Sequence, residues 1–350
     1  MKSNYEPLGK HIRLVDYRNS EEVTSTVLGI SIDKEFMPSV ANVIGTDLSR
    51  YKLISKGLFA CNPMHVGRDE RLPIALYEKD NAAIVSPAYF MFEIIDRDVL
   101  NEEYLMMWFR RPEFDRECWF MTDGSVRGGI TWDDLCRIKL PVPSYARQCE
   151  IVESYRAITN RIALKRAEND NLEAVLAASH SKMFFSKDTS EHSKLGELMT
   201  FGNGKSRPKT DGPIPVYGGN GVLSYTDHHN IENAVLIGRV GAYCGSVYLE
   251  QGICWVSDNA IFAKSKITKD EFFDYFLLKR LNLFNHHVGT GQQLLTQEIL
   301  NNIEVPKPVT EQIELFNRKA TSIFETIFTN SREIIRLQEL SDLLLSRLAG

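Results

Sequence analysis

GSVRGGITWDDLCRIKLPVPSYARQCEIVESY, residues 124–155, and GTGQQLLTQEILNNIEVPKPVTEQIELFNRKA, residues 289–320, are two versions of one text. At an offset of 165 residues, Gly124 falls on Gly289, Ile130 on Leu295, Thr131 on Thr296, Leu135 on Leu300 and Ile138 on Ile303. Pro141 and Pro143 fall on Pro306 and Pro308, and after one deletion Gln148 and Glu150 meet Gln312 and Glu314. Fainter echoes lie upstream: NEEYLMMWFRR at 101–111 resembles KDEFFDYFLLK at 269–279, and Leu8-Gly9 resembles Leu195-Gly196. Solenoid repeats have periods of roughly 20 to 50 residues, so this longer period marks a duplicated domain.

Outward from the repeat, both halves keep the same order. Short β-like runs come first, AAIVSPAYFMFEII at 82–95 and AVLIGRVGAYCGSVYL at 234–249, with glycine and proline punctuation such as KSRPKTDGPIPVYGGNGV. A helix-like stretch follows, then the paired prolines. Proline disfavours helix at the residue before it, so 140–143 and 305–308 read as extended hinges. Each hinge leads into a long helix. In the first helix Ile151, Tyr155, Ile158, Ile162, Lys165, Asn169, Leu172, Leu176, Ser179 and Met183 recur at alternating steps of four and three. In the second, Phe316, Ala320, Ile323, Ile327, Asn330, Ile334, Leu337, Ser341, Leu344 and Leu348 do the same. That spacing is the packing stripe of a coiled coil, and polar Lys165, Asn169 and Asn330 within it can fix register. The expected architecture is α+β: two similar domains of short strands and helices, 1–146 and 187–310, each followed by a long helix, 147–186 and 311–350. Two amphipathic helices packed on a globular core are the plainer alternative. At about 1.5 Å per residue each helix would run roughly 55 Å, far beyond the usual 11 or 12 residues.

Composition narrows the function classes. A chain of 350 residues exceeds one ordinary core, and 43% hydrophobic with 25% charged residues describes a globular protein. No apolar run approaches the roughly 18 to 20 residues that span a bilayer, and the N-terminus lacks the pattern of a signal peptide. The expected location is the cytoplasm, with no membrane contact. The six cysteines form no CxxC pair, which speaks against a zinc site and fits reduced, buried thiols. The net charge of −5 counts mildly against DNA binding, although a basic groove can coexist with acidic surface elsewhere.

The order of domain, long helix, domain, long helix resembles the specificity subunit of type I restriction-modification enzymes. The resemblance covers essentially the whole chain. GGITWDDLCRIKLPVPSYARQCEIV and QLLTQEILNNIEVPKPVTEQIEL look like that family's boundary between target-recognition domain and helix. VLIGRVGAYCGSVYLEQGICWVSDNA looks like the core of its recognition domains. The resemblance implies two domains that each read half of an asymmetric, bipartite double-stranded DNA target. It implies antiparallel helices that set the unread spacer, and two methyltransferase subunits docked on this scaffold. Those subunits would bind S-adenosylmethionine and methylate adenine, while this chain itself holds no cofactor. A translocating restriction subunit can join the assembly.

Candidate DNA contacts follow from residue chemistry. The loop 202–209 carries Lys205, Ser206, Arg207 and Lys209, and Tyr217 to Asn220 follow it. Lysine and arginine neutralise phosphate, arginine can read guanine, and asparagine can read adenine. An ordinary solvated loop is the competing account. The loop is no P-loop, because its first glycine position is Met199. Arg239 and Tyr243 lie in a glycine-flanked segment, and His228, His229 and Asn230 could join that surface. Neighbouring residues on a strand face opposite ways, so His228-His229 and His286-His287 are poor metal sites. In the first domain the candidates are Arg50, Lys52, His65, Arg68, Arg71 and Arg127, whereas Arg110, Arg111 and Arg116 suit a solvated helix face. No GxSxG, HExxH or GxGxxG motif is present, nor the Asn/Asp-Pro-Pro-aromatic signature of adenine methyltransferases. The chain therefore reads as non-catalytic. A coiled-coil assembly scaffold without nucleic acid is the main alternative, and a hydrolase with its site between domains the lesser one.

Overall fold

In both halves the repeated threonine caps a short helix. Thr131 Oγ accepts the Asp134 amide at 3.1 Å ahead of helix Trp132–Arg137, and Thr296 Oγ accepts the Ile299 amide at 3.2 Å ahead of Gln297–Asn302. Such a cap satisfies an amide that the first helical turn leaves open. The repeated isoleucine then receives the start of its own domain. The Leu8 amide donates to the Ile138 carbonyl at 2.7 Å, and the Leu195 amide to that of Ile303 at 2.9 Å. Gly9 and Gly196 sit so close beneath that a Cβ would fall 2.8 Å from Cys136 or 2.5 Å from Asn301. The residues after each isoleucine are extended: Lys139–Pro141 pairs antiparallel with Tyr5–Pro7, and Glu304–Pro306 with His192–Lys194.

The computed structural model describes residues 5–40, 45–64, 66–122, 128–186, 191–289 and 291–349. The chain forms two compact units, residues 165–333 and the remainder, so each unit takes in part of both long helices.

The unit of residues 165–333 holds a six-stranded sheet. Its strands are β1 (Met199–Asn203), β2 (Ile214–Gly218), β3 (Gly221–Thr226), β4 (Ile231–Gly238), β5 (Val247–Val256) and β6 (Ala260–Ser265), in the order β1-β6-β4-β5-β2-β3. All neighbours are antiparallel except the parallel pair β2 and β5. The other unit repeats the first four places of that order: Ile12–Leu14, Phe90–Ile94, Phe59–Cys61 and Ile74–Leu76, all antiparallel. Where β2 and β3 would extend it, this unit has instead a separate mixed sheet of Phe36–Pro38, Val27–Ile30, Ala83–Val85 and Lys52–Ile54. The upstream echoes also hold. Glu102–Phe109 and Phe272–Arg280 are both helices with buried faces.

The long helices run Tyr145–Phe184 and Thr310–Ser346. Within residues 165–333 they are antiparallel, since Lys165 meets Asn330 while His180 meets Phe316 edge to face. Of the anticipated seam, Ile162, Leu176 and Phe316 are buried, and Ile151, Ile158, Leu172, Ile323, Ile327, Ile334, Leu337 and Leu344 are half-buried. The polar seam residues form one network. Asn330 accepts from Lys165 at 2.9 Å and donates to Glu168 and Asn169, and Asn169 bonds Ser331 at 3.4 Å. A second buried stripe, which the 3.5-residue pattern does not contain, faces the domain cores: Val152, His180 and Phe184 on the first helix, Ile313, Phe324 and Leu345 on the second.

Each long helix is also latched to its domain by one amide side chain. Gln148 accepts the Asn101 amide at 2.9 Å and donates to the carbonyls of Val99 and Pro143. In the other unit the same task falls to Asn317, which accepts the Phe273 amide at 2.9 Å and donates to Thr268 and Asp270. Gln312, the residue that aligns with Gln148, is exposed. Arg111 departs from the solvated face expected of it: it is 4% exposed, with its guanidinium 4.0 Å from the Trp108 ring. A charged group buries there because the ring face and Glu113 replace part of its hydration. Arg110 and Arg116 are exposed as expected.

Candidate nucleic-acid interface

In the unit of residues 165–333, three candidate segments converge on the turn between β5 and β6. The Lys205 amide donates to Val256 at 2.9 Å and the Gly204 amide to Ala260 at 3.1 Å. Ser257 donates to Tyr217 at 2.8 Å, and Arg239 donates to Asn259 at 3.0 Å. Glycine is required at 204, where a Cβ would lie 1.9 Å from the Ser257 carbonyl oxygen. Gly219 sits 3.7 Å from Tyr243 Cβ by the same measure and brings exposed Asn220 alongside. The turn thus draws the backbone at Lys205, Gly219, Arg239 and Tyr243 together.

The side chains differ in how free they are. Lys205, Ser206, Arg207, Lys209, Asn220 and Tyr243 are exposed. Arg207 and Lys209 flank a shallow pocket with Ser224 and Tyr225. Among the described residues, Lys205, Arg207, Lys209 and Arg239 have no carboxylate partner. Tyr217 is committed instead: its hydroxyl donates to Glu250 at 2.9 Å, and burial together with that carboxylate pushes its pKa up. Arg239 is half-buried, and its Nε is buried without a partner. Asn230 is structural, exchanging hydrogen bonds with the Val256 backbone, while His228 and His229 are exposed.

The other unit presents its cations differently. Arg50, Arg68 and Arg71 are exposed but paired, with Asp47 at 3.3 Å, Asp69 at 2.7 Å and Asp33 at 3.2 Å. Exposed pairs of this kind are worth at most about 1 kcal/mol, so phosphate could replace the carboxylates at small cost. Lys52 is buried, donates to the Tyr89 carbonyl at 2.7 Å and lies 3.6 Å from Asp16. Burial lowers its pKa and Asp16 opposes the shift. Its ammonium is turned inward and holds the sheet edge rather than reaching outward. His65 and Arg127 lie outside the described residues.

Sequence reasoning passed over the residues that organise the face. Asn259 anchors Arg239 through its carbonyl, and Gln293 accepts the Gly241 amide at 3.1 Å. The signal was available in SDNA at 257–260, a turn between two apolar runs.

Residues 187–343 match the family model for the type I restriction modification DNA specificity domain. Those residues are similar to that specificity domain. The converging loops of β1 to β6 lie within the matched residues, and helix Thr310–Ser346 lies largely within them. No curated protein matches the chain by sequence. The fold is similar to the crystal structure of the type I restriction-modification S subunit from M. genitalium, at 15% identity and a TM-score of 0.60, covering 99% of this chain and 96% of that one. An HsdS subunit from Thermoanaerobacter tengcongensis aligns over 98% of this chain and 95% of its own, at 16% identity and a TM-score of 0.38.

Proposed function

We propose that this chain is the DNA sequence-specificity subunit of a type I restriction-modification system, with one half of a bipartite, asymmetric target read by each unit. The observation that carries the proposal is the duplication. The unit containing most of the matched domain recurs in the rest of the chain with the same four-strand order, the same threonine-capped helix and the same latch to a long helix. Two copies of one reading scaffold with different loop side chains suit two different half-sites. Phosphate contacts would come from Lys205, Arg207 and Lys209 in one unit, and from Arg50, Arg68 and Arg71 in the other.

The chain works without chemistry or cofactor of its own. Two methyltransferase subunits dock on the helices and supply S-adenosylmethionine-dependent adenine methylation, and a restriction subunit joins them in the cytoplasm. A coiled-coil scaffold with no nucleic-acid role would not need unpaired cations gathered on a loop face. Co-expression with a cognate type I methyltransferase, followed by methylome sequencing, tests the proposal. N6-methyladenine at one asymmetric bipartite motif is the expected result. A chain that binds no methyltransferase and leaves no motif refutes it.

A further inference from the structure

We infer that Arg239 is the guanine-reading residue of the unit formed by residues 165–333, and that the equivalent place in the other unit, Pro63, contributes no hydrogen bond to a base. The inference rests on the specificity-subunit reading and assigns one of its readers.

Two independent registers make Pro63 and Arg239 equivalent. In one unit Cys61 pairs with Phe90; in the other Ile237 pairs with Ile261, and the paired strands hold the same places in the four-strand order that the units share. Pro63 and Arg239 each lie two residues beyond. Separately, the Ile130 amide donates to the Pro63 carbonyl at 3.1 Å, and the Leu295 amide to the Arg239 carbonyl at 2.9 Å. Ile130 and Leu295 are themselves partners in the sequence repeat.

The backbone of Arg239 is held on both sides. Its amide donates to Asn259 and its carbonyl accepts from Leu295. Gly238 before it has no room for a side chain, since a Cβ would fall 2.2 Å from the Tyr243 carbonyl oxygen. Val240 after it bridges to Leu294. The side chain therefore leaves a fixed point. Its Nε is buried and unpartnered, the residue is half-buried, and no hydrogen bond among the described residues engages the fork of its two terminal nitrogens. No carboxylate among the described residues occupies that fork.

An arginine fork donates two parallel hydrogen bonds to guanine O6 and N7. A phosphate accepts the same donors, but it needs charge more than position, and exposed Lys205, Arg207 and Lys209 already supply charge. A base edge demands a side chain set on rigid backbone, which describes Arg239. Proline at the equivalent place has no side-chain donor, so the other half-site must be read by different residues.

The test uses the complex of this chain with its methyltransferase, carrying Arg239→Gln or Arg239→Lys. Methylome sequencing reads the motif, and titration of duplex DNA across salt concentrations reads the affinity. The expected result is a wild-type motif with a guanine in one half-site whose requirement Arg239→Gln relaxes by roughly 10-fold or more. Every other position and the salt slope stay unchanged, and Arg239→Lys keeps part of the preference. A loss of affinity equal for all sequences, with a salt slope lower by about 1, identifies a phosphate contact and overturns the inference. A normal motif left intact by both variants overturns it as well. A wild-type complex that methylates no bipartite motif sinks the specificity-subunit reading, and this inference with it.

Discussion

Asp274 sits in the first turn of helix Phe272–Arg280, almost wholly buried, and its two carboxylate oxygens lack a hydrogen bond of normal geometry. Desolvation pushes its pKa up from 3.8 to about 7; the Ser265 hydroxyl offsets part of the shift and the neighbouring Glu271 adds to it. A carboxyl group with a raised folded-state pKa stabilises only while protonated. Its contribution is full below the unfolded value near 4 and is lost as pH rises through about 7. The span of roughly three units corresponds to about 4 kcal/mol, of which about 2–3 kcal/mol falls between pH 5 and pH 8. Burial raises Glu271 in the same direction, while Lys264 at 2.8 Å restrains it. Hydrogen exchange of peptides spanning 265–281, corrected for the intrinsic pH dependence of exchange, measures the local opening free energy. The wild-type helix should lose stability across that pH range, and Asp274→Asn should flatten most of the loss. Parallel pH profiles for the two proteins would show that the burial of Asp274 carries no such penalty.

Three further outcomes are expected. Asp115→Ala leaves Lys34, 4% exposed and bonded to Asp115 at 2.6 Å, as an unpaired buried cation; the cost should be about 3–5 kcal/mol by urea denaturation, confined to the unit of residues 1–164 and 334–350. Thr131→Ala and Thr296→Ala each remove a cap and should cost about 1 kcal/mol, seen as faster amide exchange at Asp134 and Ile299 respectively. Single alanine substitutions of Lys205, Arg207 and Lys209 should each lower the slope of log affinity against log salt by about 0.9 without changing the methylated motif; an altered motif would make that residue a base reader.

The duplication was legible because the repeat encodes geometry that tolerates little change: a threonine cap, an isoleucine carbonyl that receives the domain's start, and paired prolines. The seam of the long helices was legible for the same reason, through its steps of three and four. The second stripe escaped notice because Val152, His180 and Phe184 follow the cores they meet rather than the partner helix. Strands such as Ile12–Leu14 and Ile74–Leu76 are three residues long, too short for alternation to register. Among site residues, type alone could not separate Lys205, which is free, from Lys52 and Tyr217, whose polar ends are bonded within the protein. Alignment likewise placed Gln312 opposite Gln148, yet Asn317 performs the latch, because position in space and not order along the helix decides which amide reaches the neighbouring helix.

Leu345 and Leu348 lie in the same apolar cluster as Leu8, Phe59 and Val152. During synthesis, residues 165–333 can close on themselves while the earlier unit still waits for a strip of helix made some 180 residues later than the rest of it. The earlier unit therefore keeps an open seam while residues 165–333 are made, exposed to chaperones and to misassociation. A premature stop after residue 333 would injure the unit that was made earlier and spare the unit of residues 165–333.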